Sequence, residues 1–160
     1  GTSLPIAVRR WLGFEQLGIN QTYWELFEEP PPNIYRAHQF YETNDTYNWS
    51  PTIDLYGGGG LVATPSDVAL FFNKLLTGQV FKHANTLARM LSKDQLPESS
   101  PYRIGIFEFN IDGKTIYEHS GFWGTLVWHD PTTGKTIAGA AISGSDASAL
   151  KRIITDAIKE

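Results

Sequence analysis

"YRIGIFEFNIDGKTIYEHSGFWGTLVWHDPTTGKTIAGAAIS" runs from Tyr102 to Ser143, and its reading decides the fold. β-Branched and aromatic residues crowd the first half, which is split by Asp112-Gly113, a dipeptide suited to the tightest hairpin turns. A hairpin is expected there. "FWGTLVWHD" predicts a third strand, "PTTG" a turn, and "KTIAGAAIS" a fourth strand. Connections this short force antiparallel pairing, because a parallel pair needs a crossover of about a dozen residues or more. The terminal segment predicts a helix capped by Ser145 or Asp146. Its Leu150, Ile153, Ile154, Ala157 and Ile158 share one apolar face suited to covering the sheet.

Moving upstream, "YGGGGLVATPSDVALFFNKLLTG" (Tyr56–Gly78) carries a complete set of helix signals. Thr64 suits the N-cap, Pro65 the first helical position and Asp67 the first turn. Val68, Phe71, Phe72, Leu75 and Leu76 form one stripe, and Gly78 stops the helix. A second helix is expected at about residues 83–92. The glycines 57–60 permit positive φ or the close approach of another group. No Lys-Ser/Thr follows them and no parallel βαβ unit surrounds them, so they do not form a phosphate loop. At the start, Ile6, Trp11, Leu12 and Leu17 suggest the apolar face of a short helix. Residues 19–55 read as irregular, and an aromatic, polar loop of that length is uncommon in a compact domain unless it has a function. The fold class is therefore α+β: an antiparallel meander of about four strands covered by helices. The 160 residues read as a single domain or fragment with stretches 1–55, 56–95 and 101–160.

Composition narrows the function. At 41% hydrophobic and 19% charged, the chain has material for a core and too little charge for disorder. Net charge is −4 and the basic residues are scattered, which argues against nucleic acid as a partner. With no cysteine there is no disulfide, no zinc-thiolate site and no Cys nucleophile. No apolar run approaches the roughly 20 residues of a membrane span. The histidines lack metal-ligand spacing, and neither a metal nor another cofactor is expected. The opening Gly-Thr-Ser reads as a cloning remnant, with no leader visible.

Three segments then point to a family. "GGGLVATPSDVALFFNKLLTG" resembles the "GGL-x-ST-x-x-D" segment and following helix of the serine β-lactamase and penicillin-binding-protein-like superfamily. "LGINQT" resembles the "PLG-x-x-x-T" segment that precedes it there, and "EHSGFWG" lies where the C-terminal strands carry "GHSG-x-x-G". The similarity runs in order from about Leu4 to the end, and it implies the C-terminal half of that fold. The superfamily contains class C β-lactamases, D-alanyl-D-alanine carboxypeptidases and esterases, all working by acyl transfer through a serine ester. It uses Ser-x-x-Lys, then Tyr-x-Asn or Ser-x-Asn, then Lys-Thr-Gly or His-x-Gly. Only the third is matched here, by His119-Ser120-Gly121.

By that resemblance Ser120 is not the nucleophile. His119 offers a polar group near the substrate, Ser120 a hydrogen bond, and Gly121 a flat surface along which an acyl group can lie. Phe122 supplies a backbone N–H to the oxyanion. These four form the catalytic set, with His38, Tyr56, Gly58 and Gly59 as substrate contacts. The one Ser-x-x-Lys, Ser148 to Lys151, follows the third motif instead of preceding it and is read as coincidence. The implied partners are a peptide or small-molecule substrate and the N-terminal half of the same enzyme or a separate chain. The chain alone is expected to be inactive, and a periplasmic or extracellular setting follows from the resemblance. Two other readings compete. One is a non-catalytic domain whose Phe40, Tyr41, Tyr47, Trp49, Phe122 and Trp123 grip a peptide or glycan. The other is a self-contained Ser/His/Asp hydrolase, which lacks a Gly-x-Ser-x-Gly elbow and sets His119 and Ser120 on opposite faces of a strand. His129, ahead of the "DPTTG" turn, is read as a surface residue.

Overall fold

The computed structural model describes every residue except Asp54, Tyr56, Gly57, Gln95, Glu98 and Glu160. In chain order the elements are α1 (Leu4–Leu12), α2 (Phe14–Leu17), β1 (Tyr23–Trp24), β2 (Phe40–Tyr41), β3 (Asn44–Asp45), β4 (Leu61–Val62), α3 (Pro65–Leu76), α4 (Asn85–Leu91), β5 (Phe107–Ile111), β6 (Lys114–Ser120), β7 (Thr125–His129), β8 (Thr136–Ala140) and α5 (Ala147–Lys159). Strands β5 to β8 pair in sequence order, all antiparallel, as the short connections require. Asp112 (φ 52°) and Gly113 (φ 82°) both take positive φ in the β5–β6 turn, the conformation for which this dipeptide is suited.

Alternation along the strands divides the sheet into two apolar faces. Ile116, Leu126 and Trp128 pack against Ile154 and Ile158 of α5. On the other face Val127 packs with Ile106 and with Phe72 and Leu76 of α3, and Leu87, Met90 and Leu91 close the edge of this second cluster. The result is three layers, helix–sheet–helix, around a buried sheet. Thr64 caps α3 by accepting from the Asp67 N–H at 3.2 Å.

Four local expectations differ from the structure. The apolar residues of α1 do not form its buried face: Ile6 is 58% and Trp11 69% exposed, while Pro5 and Ala7 are buried. Polar anchors set this helix instead. Arg9 donates from Nε to Glu28 Oε1 at 2.6 Å and from Nη2 to Glu28 Oε2 at 2.8 Å and the Thr22 carbonyl at 2.7 Å. Residues 19–55 are not wholly irregular, because β1 pairs with β4 and β2 with β3. The third strand starts only at Thr125, since residues 121–124 make a turn, and a 3-10 turn over Gly144–Asp146 precedes α5. Finally, His129 is buried, not at the surface. It ends β7 opposite Thr136, whose Oγ1 lies 2.7 Å from its Nδ1, and Asp130 makes the turn beyond it by accepting from the Thr132 N–H at 2.7 Å.

Candidate functional site

Strand β6 outruns β5. Pairing with β5 ends at Phe107–Glu118, so His119 and Ser120 pair only with Val127 and Leu126 of β7. The chain then reverses over Gly121–Gly124. Gly124 donates to the Gly121 carbonyl at 3.0 Å, and Gly121 donates to the Thr125 carbonyl at 2.9 Å. This is a short loop whose last residue, Gly124, sits in the left-handed region at φ 79°. Two remote segments brace it. The Ala141 N–H donates to the Gly124 carbonyl at 2.9 Å, and Gln39 Nε2 donates to the Trp123 carbonyl at 2.7 Å.

A groove of about 540 Å³ opens beside this turn. Gly121, Phe122 and Thr125 line it together with Ala140–Ile142, the run Gly58–Ala63, and residues of the loop that include Arg36, Tyr47 and Trp49. Gly60 lets the run pack closely on Leu55 and Trp24 behind it. It has φ 92°, and a Cβ there would lie 2.4 Å from Leu55 Cδ2 and 2.9 Å from Trp24 Nε1. Only glycine allows that approach. Gly121 is different: a Cβ on it would meet nothing nearer than Thr125 Cβ at 4.0 Å. Its bare side is open space belonging to the groove.

The charges of the groove are self-compensated. The Arg36 guanidinium pairs with Glu25, donates to the Tyr47 carbonyl, and lies 4.4 Å from the centre of the Tyr47 ring. Burial first, then the Glu25 charge, pushes the nearby Tyr23 phenol above its ordinary range. Among the described residues no group of three or more His, Cys, Asp or Glu is placed to hold a metal ion.

Of the residues expected from sequence, Gly58, Gly59, Gly121 and Phe122 line this one groove. His119 is exposed. It shares the sheet face of its partner Val127, and so the face of Gly121, but does not line the groove. Ser120 shares with Leu126 the opposite face, the one that α5 covers. His38 turns away, with Nδ1 2.7 Å from Asp45 Oδ2 and its ring stacked on Tyr47 at 4.3 Å. Tyr56 lies outside the described residues. Ser148 is exposed on α5, and Lys151 pairs at 3.8 Å with Glu118 on the helix-covered face, far from the groove. Among the described residues the one serine that lines the groove, Ser50, shares a 2.9 Å hydrogen bond with Thr52, and no lysine or histidine lines it. Sequence reading missed Arg36, Glu25, Gln39 and Ala140–Ile142, which reach the groove only through tertiary contacts. No local pattern marks them.

An antiparallel sheet held between helices, with a groove beside the turn that follows an interior strand, is the α+β architecture in which the chain was expected to fold. Residues 9–154 match the model of the Beta-lactamase family, and the chain belongs to that family. Among solved structures it is similar to the penicillin binding protein from Bacillus halodurans, with a TM-score of 0.70 and 16% identity, covering 96% of this chain and 49% of that one. At that identity the likeness speaks for the fold. The chain spans about half the length of that relative. No curated protein sequence matches it.

Proposed function

We propose that this chain forms the substrate-positioning part of a serine hydrolase, one that cleaves a peptide, ester or β-lactam through an acyl-enzyme, and that a Ser-x-x-Lys segment outside these 160 residues supplies the nucleophile. The observation that carries this reading is the convergence of Gly121 and Phe122 with Gly58 and Gly59 on one groove, in a chain of the Beta-lactamase family. In the proposed reaction the external serine attacks the substrate carbonyl as the lysine of its own segment takes the hydroxyl proton, and the tetrahedral intermediate collapses to the acyl-enzyme by breaking the bond to the amine or alkoxide leaving group, which departs with that proton. The Phe122 N–H receives the developing oxyanion, an effect worth on the order of 3 kcal/mol per preorganised donor. Gly121 leaves room for the acyl group. His119, two residues earlier, lies outside the lining of the groove and meets only substrate that extends beyond it. Ser50 shares its hydroxyl hydrogen bond with Thr52, and the groove's carboxylate, Glu25, is taken up by Arg36. A periplasmic or extracellular setting goes with this reading.

The test is acylation followed by mass spectrometry. The chain alone, incubated with an activated ester or a chromogenic cephalosporin, stays unmodified and gives no turnover above background. The longer protein, carrying Ser-x-x-Lys, acquires one acyl group on that serine. Acylation of Ser50, Ser120 or Ser148 in the isolated chain sinks the proposal. A longer protein that binds peptide or glycan and never acylates favours the non-catalytic reading of the exposed aromatics.

A further inference from the structure

A second cavity, of about 410 Å³, adjoins the groove and shares Gln39, Phe122, Trp123, Ala141 and Ile142 with it. Phe40, Tyr41 and Glu42 of the β2–β3 hairpin, Gly124 and residues 143–145 complete its lining. Aromatic rings run from one space to the other. Trp49 lies 6.4 Å from Tyr41, Tyr41 lies 5.9 Å from Phe122 with the rings 26° apart, and Phe122 meets Trp123 edge-on at 5.1 Å. These rings are not core. Phe122 is 76%, Trp49 46% and Tyr41 45% exposed. Aromatic area left in water on this scale is unfavourable unless something covers it.

Among the described residues one charged side chain lines this cavity, Glu42. It occupies the first central position of the two-residue turn between Tyr41 and Asn44, at φ 56°. Glycine is the residue suited to that conformation, and a side chain there costs roughly 1 kcal/mol. The other polar side chains include Ser143 and Ser145, whose hydroxyls hydrogen-bond each other at 2.9 Å. Aromatic faces present negative potential, and a carboxylate beside them adds to it. An anionic group would be repelled here, and a neutral aliphatic group would leave the carboxylate unused. Tyr41 and Phe122 are stacked with centroids 5.9 Å apart, too close to admit an ammonium between them, so a cation in the cavity meets the outer face of one ring with the Glu42 carboxylate beside it.

We infer that the cavity lined by Tyr41, Glu42 and Phe122 binds a cationic ammonium group, carried on the portion of the substrate that extends past Gly121 out of the acyl groove. Its role as a substrate subsite rests on the proposed hydrolase reading, whereas ammonium binding itself does not. A substrate seated in both spaces therefore has an acyl carbon at the Gly121–Phe122 turn and an amine or quaternary ammonium beyond it.

The test is a titration of the chain, followed by amide NMR, with choline and with 3,3-dimethylbutan-1-ol, which has the same shape and no charge. Choline is expected to move the signals of Tyr41, Glu42 and Phe122 and to bind about ten-fold more tightly than the alcohol. Glu42→Gln should bring the two affinities to within about three-fold, and Phe122→Ala should weaken choline at least about five-fold. Equal affinity of the two probes in the unaltered chain overturns the inference. So does an absence of saturable choline binding, a set of shifts away from these three residues, or a preference that survives Glu42→Gln. Failure of the acylation test leaves these results unchanged, since binding needs no nucleophile. A chain that binds choline here but never forms part of an acylating protein removes the hydrolase reading and keeps the ammonium site.

Discussion

Two glycines three residues apart in the same turn should respond oppositely to the same added methyl group. A Cβ on Gly124 would lie 2.4 Å from the Ala141 carbonyl oxygen, 3.2 Å from its carbon and 3.3 Å from its Cβ. The first two are backbone atoms, held there by the 2.9 Å hydrogen bond from Ala141 N–H to the Gly124 carbonyl, so they have little freedom to retreat. Gly124 also sits at φ 79°, where an L side chain costs about 1–2 kcal/mol. Overpacking adds about 1–3 kcal/mol. Gly124→Ala should therefore destabilise by roughly 3.5 kcal/mol, and for a chain of this size each kcal/mol lowers Tm by about 2–4 °C. The expected drop is roughly 7–14 °C by calorimetry, with a matching fall in the urea midpoint and an unchanged m-value. Gly121→Ala meets no contact closer than 4.0 Å and should stay within about 0.5 kcal/mol of the parent. Equal shifts in the two variants, or a Gly124→Ala protein as stable as the parent, would refute the assignment of this turn to the Ala141 backbone.

Further expectations concern core, site and pH. Phe72→Ala removes a buried ring from the α3 cluster and should cost about 3–5 kcal/mol, read from the urea midpoint; an unchanged midpoint would mean that α3 does not cover the sheet. In the longer acylating protein, Gly121→Val should abolish turnover while thermal unfolding stays near that of the parent, and His119→Ala should slow turnover less, since it removes a contact without filling the groove. Burial, only partly offset by the Asp130 charge, holds the His129 imidazole below its ordinary pKa of 6.5. The unfolded chain then takes up that proton before the folded chain does. Stability should fall as pH drops through about 6.5 and below, with no slope from this group above about pH 7.5. His129→Gln should flatten that part of the acid limb in urea unfolding, whatever its own packing cost, and a limb as steep as the parent's would contradict the assignment.

Legibility in the sequence followed the range over which each residue finds its partners. The β5–β6 turn and the capped start of α3 could be read because Asp112-Gly113 and Thr64-Pro65 act on their immediate neighbours. Asp67 shows where that reading ends. It suits the first turn of α3, yet it is buried and accepts 2.8 Å hydrogen bonds from the Gln21 N–H and the Thr22 hydroxyl, some 45 positions away. The face of α1 was misread for a similar reason, because the Arg9–Glu28 pair orients the helix more than its sparse apolar residues do. Half of the expected site residues could be placed on one groove because the Gly121–Gly124 turn and the glycine run carry local backbone signals. Gln39, Arg36 and Ile142 carry none. His38, expected as a substrate contact, lies outside the groove lining against Asp45 and Tyr47, and nothing in its own sequence surroundings announces those neighbours.

The bracing of the turn by Gln39 has a kinetic side. Successive strands of the sheet close loops of a few residues, as where Asn110 pairs with Thr115, whereas Gln39 and Trp123 are separated by 84 positions. Closing the longer loop costs roughly 2.5 kcal/mol more in chain entropy, on a logarithmic dependence on loop length. A backbone hydrogen bond from the Phe40 N–H to the Ile142 carbonyl at 2.8 Å, part of an isolated parallel bridge of Phe40 with Ser143, joins the loop to the sheet's end. Folding should therefore complete the meander first and dock residues 36–51 afterwards, and in the native state that docking should be the step that reverses most readily. The Phe40 amide would then exchange with solvent deuterium through openings far less costly than those that free Trp128. With that order of exchange, the groove would lose and regain its loop wall many times within the life of a single folded sheet, with no hinge in the core.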